Sequence, residues 1–230
     1  LQGSGAVFSF IHKLESLWKL ALVCLVGLVI FSFFFIRDGI PLLADLASRK
    51  IPVTVMSSLS LKTLGQLDAH FMTPTELSAE RQRELQNLLE SSLLIAGVSN
   101  EYQLELRHSK VLGANALALP SGILIMTDDL VNLAENDQEL AGILLHEIGH
   151  VENRHSIRNI IQSSGLYFLI MALAGDITSL STMFSTLPTF LIESGYSREF
   201  EIEADEYAAR LLNKEGIGTK PLEDILDRLT

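Results

Sequence analysis

The sequence predicts an α+β, mostly helical fold: a small antiparallel sheet and two helices that carry the chemistry, preceded by one transmembrane helix. Three observations predict it. An uncharged apolar run covers Leu20 to Ile36, and an alternating stretch from Tyr102 to Arg107 is followed by further short strand-like runs, broken by turns, up to Met126. Apolar residues at helical spacing then surround a cluster of histidines and acids at positions 146–155.

The apolar run comes first. Leu17, Trp18 and Lys19 extend it with an interfacial aromatic and a cation that can snorkel. With these flanks it reaches the roughly 20 residues a helix needs to cross a bilayer. A cleaved signal peptide fits less well, because the run is long and no small-residue cleavage pattern follows it. Lys13 and Lys19 precede the span, while Arg37 and then Arg49-Lys50 follow it, so the positive charges are nearly balanced. The reading adopted puts the N-terminus inside and the main domain on the extracytoplasmic side, periplasmic or equivalent. Leu1 to Gly5 are set aside as a candidate vector remnant.

Asp38 to Pro52 mixes charges with Pro41 and Pro52 and reads as a juxtamembrane connector. Leu59, Leu61, Leu64 and Leu67 fit one helix, and Leu77 with Leu85, Leu88 and Leu89 fits a second after the Thr73-Pro74 break. Neither carries candidate chemistry, and His70 reads as an ordinary packed or surface histidine. Tyr102 to Arg107 alternates, Ser109-Lys110 turns, and Val111 to Leu119 returns, which predicts a hairpin. Pro120-Ser121-Gly122 makes a further turn before Ile123 to Met126. An exposed edge of such a sheet can take up an extended peptide as an added strand.

The next segment holds three of the six histidines within His146-Glu147-Ile148-Gly149-His150-Val151-Glu152-Asn153-Arg154-His155. Asn136 with Glu139 three residues on marks an N-cap and capping box. Leu140, Leu144, Leu145, Ile148 and Val151 supply an apolar stripe. His146 and His150 are four apart, so their rings stack along one face at the spacing that lets two imidazoles grip one Zn²⁺. Glu147 sits beside them, placed to act as general base on a metal-activated water. Gly142 and Gly149 flank that face at about 1 kcal/mol each against Ala, which points to a close approach to the backbone.

Beyond His155, Leu166 to Ala174 is wholly apolar, and Ile177 to Ile192 is apolar with Ser and Thr interspersed. This region reads as a buried helix followed by a helical lid, or alternatively as a hairpin dipping into the membrane. A catalytic zinc needs a third protein ligand. Candidates lie in Tyr196 to Asp205, where Ser197 is a plausible N-cap and the stretch to Leu212 is an amphipathic helix. Asp205, four after Glu201, could accept the second N–H of a ligand histidine.

These residues resemble a known family. His146-Glu147-Ile148-Gly149-His150-Val151 through Arg154-His155, Ser197-Arg198 with Glu201 and Ala204-Asp205, and Asn115-Ala116-Leu117-Ala118-Leu119-Pro120-Ser121-Gly122 look like the HtpX and CAAX-prenyl-protease family of zinc metallopeptidases. Its members are membrane-linked gluzincins, among them the Oma-type stress proteases. The resemblance covers roughly Ile51 to Gly218. It implies a zincin-like catalytic domain holding one Zn²⁺ per chain, with His146, His150 and Glu201 as ligands and Glu147 as catalytic base. It also implies that Asp205 steadies a ligand histidine, and that Asn115, Ala116, Leu117, Ala118, Leu119 and Pro120 bind substrate backbone. Tyr196, Arg198 and His155 are the candidate donors to a reaction oxyanion. Single-anchor members resemble quality-control proteases acting on membrane or envelope proteins.

Helical phasing at about 100° per residue agrees on the third ligand. With Phe200, Ala204, Ala208, Leu211 and Leu212 on the buried side, Glu201 and Asp205 fall at its border. Glu199, Glu203, Glu206 and Arg210 then form a stripe facing water. The expected organisation is a tail (1–16), a transmembrane anchor (17–37), the connector (38–52) and a zinc metallopeptidase domain (53–230).

The expected function is membrane-anchored zinc endopeptidase, with protein or peptide substrates and contact with the lipid bilayer through the N-terminal helix. The alternative is a chaperone-like or binding module with a covered, latent zinc site; Glu147 discriminates against it, since a binder needs no base there. A net charge of −11 without any basic stripe argues against a nucleic-acid partner. The single cysteine, Cys24, excludes an intrachain disulfide among these residues.

Overall fold

The computed structural model describes residues 4–98, 102–163 and 195–229. The reading of residues 166–192 as a lid or membrane hairpin lies outside them. The chain forms two units, Leu1–Leu43 and Ala44–Thr230.

In the first unit α1 runs from Ser4 to Phe34 and passes into a π turn, Phe35–Gly39, then α2, Ile40–Ser48, which belongs to the second unit from Ala44 on. The predicted connector is thus largely helical. Pro41 explains the π turn before it: its missing N–H and its ring break the α ladder one turn upstream, and the wider turn absorbs the defect. Leu17–Ser48 is the one helical run among the described residues long and apolar enough to cross a membrane.

The second unit is built on a four-stranded sheet in the order β1-β2-β4-β3, with β1 at Thr73–Pro74, β2 at Gln103–His108, β3 at Ala116–Ala118 and β4 at Ile123–Thr127. This corrects the hairpin expected between β2 and the 111–119 segment, and with it the all-antiparallel sheet. β2 pairs in parallel with β4, and β3 pairs antiparallel with β4 on its other side. The reason is local. Val111 is solvent-exposed and Gly113 takes φ 58°, so residues 109–115 turn away from β2 rather than returning along it. The Leu119–Gly122 turn, with Leu119 N–H donating to Ile123 C=O at 2.8 Å, then folds β3 onto β4.

β4 is buried on both faces, which is why it reads as an unbroken apolar run. Leu124 and Met126 face one core with α4 (Ala79–Ala96), α5 (Asp128–Leu133) and α6 (Asp137–Glu152). Ile123 and Ile125 face a second core with α3 (Val53–His70) and α7 (residues 155–163). α8 (Arg198–Lys214) and α9 (Lys220–Leu229) complete the first core against α6. Arg154, at the break between α6 and α7, takes φ 55°. A left-handed residue with a Cβ costs about 1–2 kcal/mol, and its guanidinium bonds to the Ser48 carbonyl at 2.5 Å.

Candidate metal centre

α6 starts where the sequence predicts. Asn136 Oδ1 accepts the N–H groups of Gln138 and Glu139 at 3.0 and 3.2 Å. The Glu139 carboxylate reaches back to the Glu135 N–H at 2.9 Å, one residue beyond the usual capping-box partner. Buried Glu139 also pairs with Arg228, which ties α9 to the start of α6. The two glycines of α6 are explained by neighbouring helices. A Cβ on Gly142 would meet Leu222 Cβ at 3.1 Å, and one on Gly149 would meet Tyr207 Cβ at 3.2 Å. α8 and α9 can therefore lie close against the histidine helix.

His146 and His150 aim their Nε2 atoms at one place, 3.0 Å apart. Glu201 Oε2, from α8, lies 3.4 Å from the first and 3.9 Å from the second. Among the described residues no other set of three such side chains converges within 4.8 Å. The donor set fits a metal: bonds of about 2.0–2.1 Å in a tetrahedron separate ligand atoms by roughly 3.3–3.4 Å. Two ring nitrogens and a carboxylate oxygen suit Zn²⁺. Both rings are backed on the far side. Asp205 Oδ1 is 2.9 Å from His146 Nδ1, and His155 Nδ1 is 2.8 Å from His150 Nδ1.

Burial governs the electrostatics. It works against charge on His146, but hydrogen bonds to Asp205 and Glu201 outweigh it and raise the ring to about 10. Burial, and then the charges of His146 and His155, lower His150 to about 2. With 3.0 Å between the two Nε2 atoms, the rings hold one proton between them, and the carboxylates keep it on His146. Burial lifts Glu147 to about 7, against the pull of His146.

A metal ion must displace the His146 proton, which makes binding pH-dependent. Because this pKa is raised, the proton is present below about 10. Zinc affinity should therefore rise about tenfold per pH unit between pH 7.5 and 9. Competition titration against a chromophoric chelator measures this, and a flat profile would contradict it.

Glu147 shares a cavity of ≈ 320 Å³ with His146, His150, Glu201, Tyr196 and the start of β3. Of the six residues expected to bind substrate, Asn115, Ala116 and Leu117 line it. Ala118, Leu119 and Pro120 do not; they are buried, with Leu119 in the second core, because the turn to β4 carries them away. The candidate oxyanion donors separate as well. Arg198 is solvent-exposed, and both ring nitrogens of His155 are engaged, Nε2 with Glu203 at 3.0 Å. Tyr196 lines the cavity, its hydroxyl 2.6 Å from Ser156 Oγ and its ring stacked on His150. Burial raises its hydroxyl well above the usual range.

Glu203 corrects the phasing argument. Rather than facing water alone, its half-buried carboxylate meets Arg158 at 2.7 Å as well as His155. A wheel of α8 alone does not show that α7 packs against that flank. The pairing of His155 with Arg158, three apart on one helix, is the sequence signal that could have found it.

Asp205→Asn keeps the shape but weakens the acceptor for His146 Nδ1–H. Zinc affinity should fall by roughly 10–100-fold, as usual when a ligand's partner is lost. An unchanged dissociation constant would remove Asp205 from this role.

The chain is 34% identical over 112 residues to the metalloprotease YcaL of Escherichia coli K12, covering 47% of this chain and 44% of that one. It is 29% identical over 115 residues to the mitochondrial metalloendopeptidase OMA1 of Arabidopsis thaliana, covering 50% and 23%. The metalloprotease LoiP of Escherichia coli K12 is 29% identical over 119 residues, covering 50% and 47%. The chain thus matches about half, or less, of the length of these relatives. A family model matches residues 79–229, a stretch that includes the histidine helix and the helix carrying Glu201, and on that match the chain belongs to peptidase family M48.

Proposed function

We propose that this chain is a membrane-anchored, zinc-dependent endopeptidase acting in the quality control of membrane or envelope proteins. The observation that carries the reading is the convergence of His146, His150 and Glu201 beside buried Glu147, in one cavity with the start of an edge strand. A bound zinc ion would polarise the scissile carbonyl and acidify a water. Glu147, raised to about 7 by burial, is suited to take a proton from the attacking water near neutrality. The same carboxyl group then returns the proton to the leaving amine. Tyr196 is the remaining candidate donor to the developing oxyanion, since it is the one of the three that lines the cavity. Among the described residues β3 is the edge of the sheet, so an extended substrate can add to it as a further strand near Ala116 and Leu117.

Similarity to proteins named as metalloproteases and to a mitochondrial metalloendopeptidase supports protein substrates. Anchoring by residues 17–37, with the domain outside the cytoplasm, completes the proposal. It is tested with the full chain in detergent and an unfolded protein as substrate. Cleavage should stop on chelation and return with added Zn²⁺; cleavage indifferent to chelation would sink the reading.

A further inference from the structure

We infer that His155, Glu203 and Arg158 form a relay that fixes the tautomer and ring orientation of His150, so that its Nε2 lone pair faces the metal position. The inference rests on the metal site proposed above. It assigns work to three side chains that the reaction itself does not use.

The chain path sets the relay up. α6 ends at Glu152, the left-handed Arg154 breaks the helix, and α7 begins with His155, whose ring centroid lies 4.9 Å from that of His150. His155 is fully buried. Its ring stacks on Phe200 with centroids 4.5 Å apart and 12° between planes. The Arg158 guanidinium lies 4.6 Å from the same Phe200 ring, and Tyr196 stacks on His150 at 4.1 Å. Neither histidine ring has freedom to turn.

Donor and acceptor accounting then determines the protons. The Glu203 carboxylate accepts from both Arg158 terminal nitrogens, at 2.7 and 3.3 Å. Ionised, it can only accept, so His155 Nε2, 3.0 Å away, must donate. Arg158 already balances the charge of Glu203, so the buried His155 ring needs no charge of its own. A neutral ring with Nε2–H presents a lone pair at Nδ1. His150 Nδ1, 2.8 Å from it, must then be the donor. That leaves His150 Nε2 without a proton, as a metal ligand requires. Neither alternative both satisfies Glu203 and leaves His150 Nε2 free for a metal. A His155 tautomer protonated at Nδ1 would set a lone pair against the Glu203 carboxylate, and a doubly protonated ring would push the proton of His150 onto Nε2.

The experiment measures Zn²⁺ dissociation constants by chelator competition on the full chain in detergent, and it turns on two variants. Asn Oδ1 occupies nearly the place of His Nδ1, so His155→Asn keeps the acceptor for His150. His155→Phe keeps the ring packing and removes the acceptor. Both lose the contact with Glu203 and only the Asn variant loses the ring packing, so a merely structural role for His155 would cost the Asn variant at least as much as the Phe variant. The relay predicts an affinity loss of roughly 10–100-fold in the Phe variant and only a few-fold loss in the Asn variant.

Equal constants for the two variants, or a wild-type constant in the Phe variant, would overturn the relay. If the Phe variant does not fold, Glu203→Leu probes the other end. It frees His155 to turn Nδ1–H on His150, and affinity should fall about tenfold; no change overturns the relay. His150→Ala separates the two levels of the argument. If it binds zinc like wild type, the metal site itself fails. If it loses zinc while His155→Phe does not, only the relay fails.

Discussion

Glu147→Gln should lower peptidase turnover by about 10²–10⁴-fold, the range for loss of a general base, while zinc content stays near one per chain. The asymmetry follows from geometry. Glu147 is one residue from His146 and shares the cavity, yet it does not belong to the three converging ligand atoms. The amide is close in size to the carboxyl, so packing in this buried position is kept. What is lost is the ability to take a proton. Turnover and metal content measured on one preparation separate the two effects. Wild-type turnover would discard the mechanism, and loss of zinc together with activity would make Glu147 a ligand or a structural residue.

Glu201→Ala should abolish stoichiometric zinc binding, with an affinity loss exceeding the roughly 10–100-fold expected for an outer partner. Glu201 is the one carboxylate among the converging atoms, at 3.4 and 3.9 Å from the two Nε2 positions. Its removal leaves two imidazoles, which do not make a closed set of protein ligands. Glu199, two residues earlier, is solvent-exposed, and Glu199→Ala should bind zinc as wild type does. Glu203→Ala lies between these limits because its contact with His155 is lost. Zinc content by metal analysis after gel filtration ranks the three. Zinc retained in Glu201→Ala would show that the third ligand comes from elsewhere.

Much of this site was legible in the sequence, because its key spacings are local. The four-residue interval between His146 and His150, and that between Glu201 and Asp205, each lie on one helix, where sequence distance fixes direction. The cap at Asn136 is local in the same sense. The sheet was less legible. Alternation marked β2 as a strand and an apolar run between turns marked β4, but neither pattern states which neighbour a strand pairs with, and a turn at 109–115 with Gly113 at positive φ decided that. Glu203 was misread for a related reason. Its environment is set by α7, and a helical wheel knows only its own helix. His155 looked like a donor to substrate until the left-handed turn at Arg154 brought its ring against His150.

Location of the metal tests the central claim most directly. Crystals of protein prepared without chelator, measured on both sides of the zinc absorption edge, should show one anomalous peak per chain. It should lie about 2.0–2.2 Å from His146 Nε2, His150 Nε2 and a Glu201 carboxylate oxygen. A peak bound by other residues, or none in zinc-loaded crystals, would contradict the account.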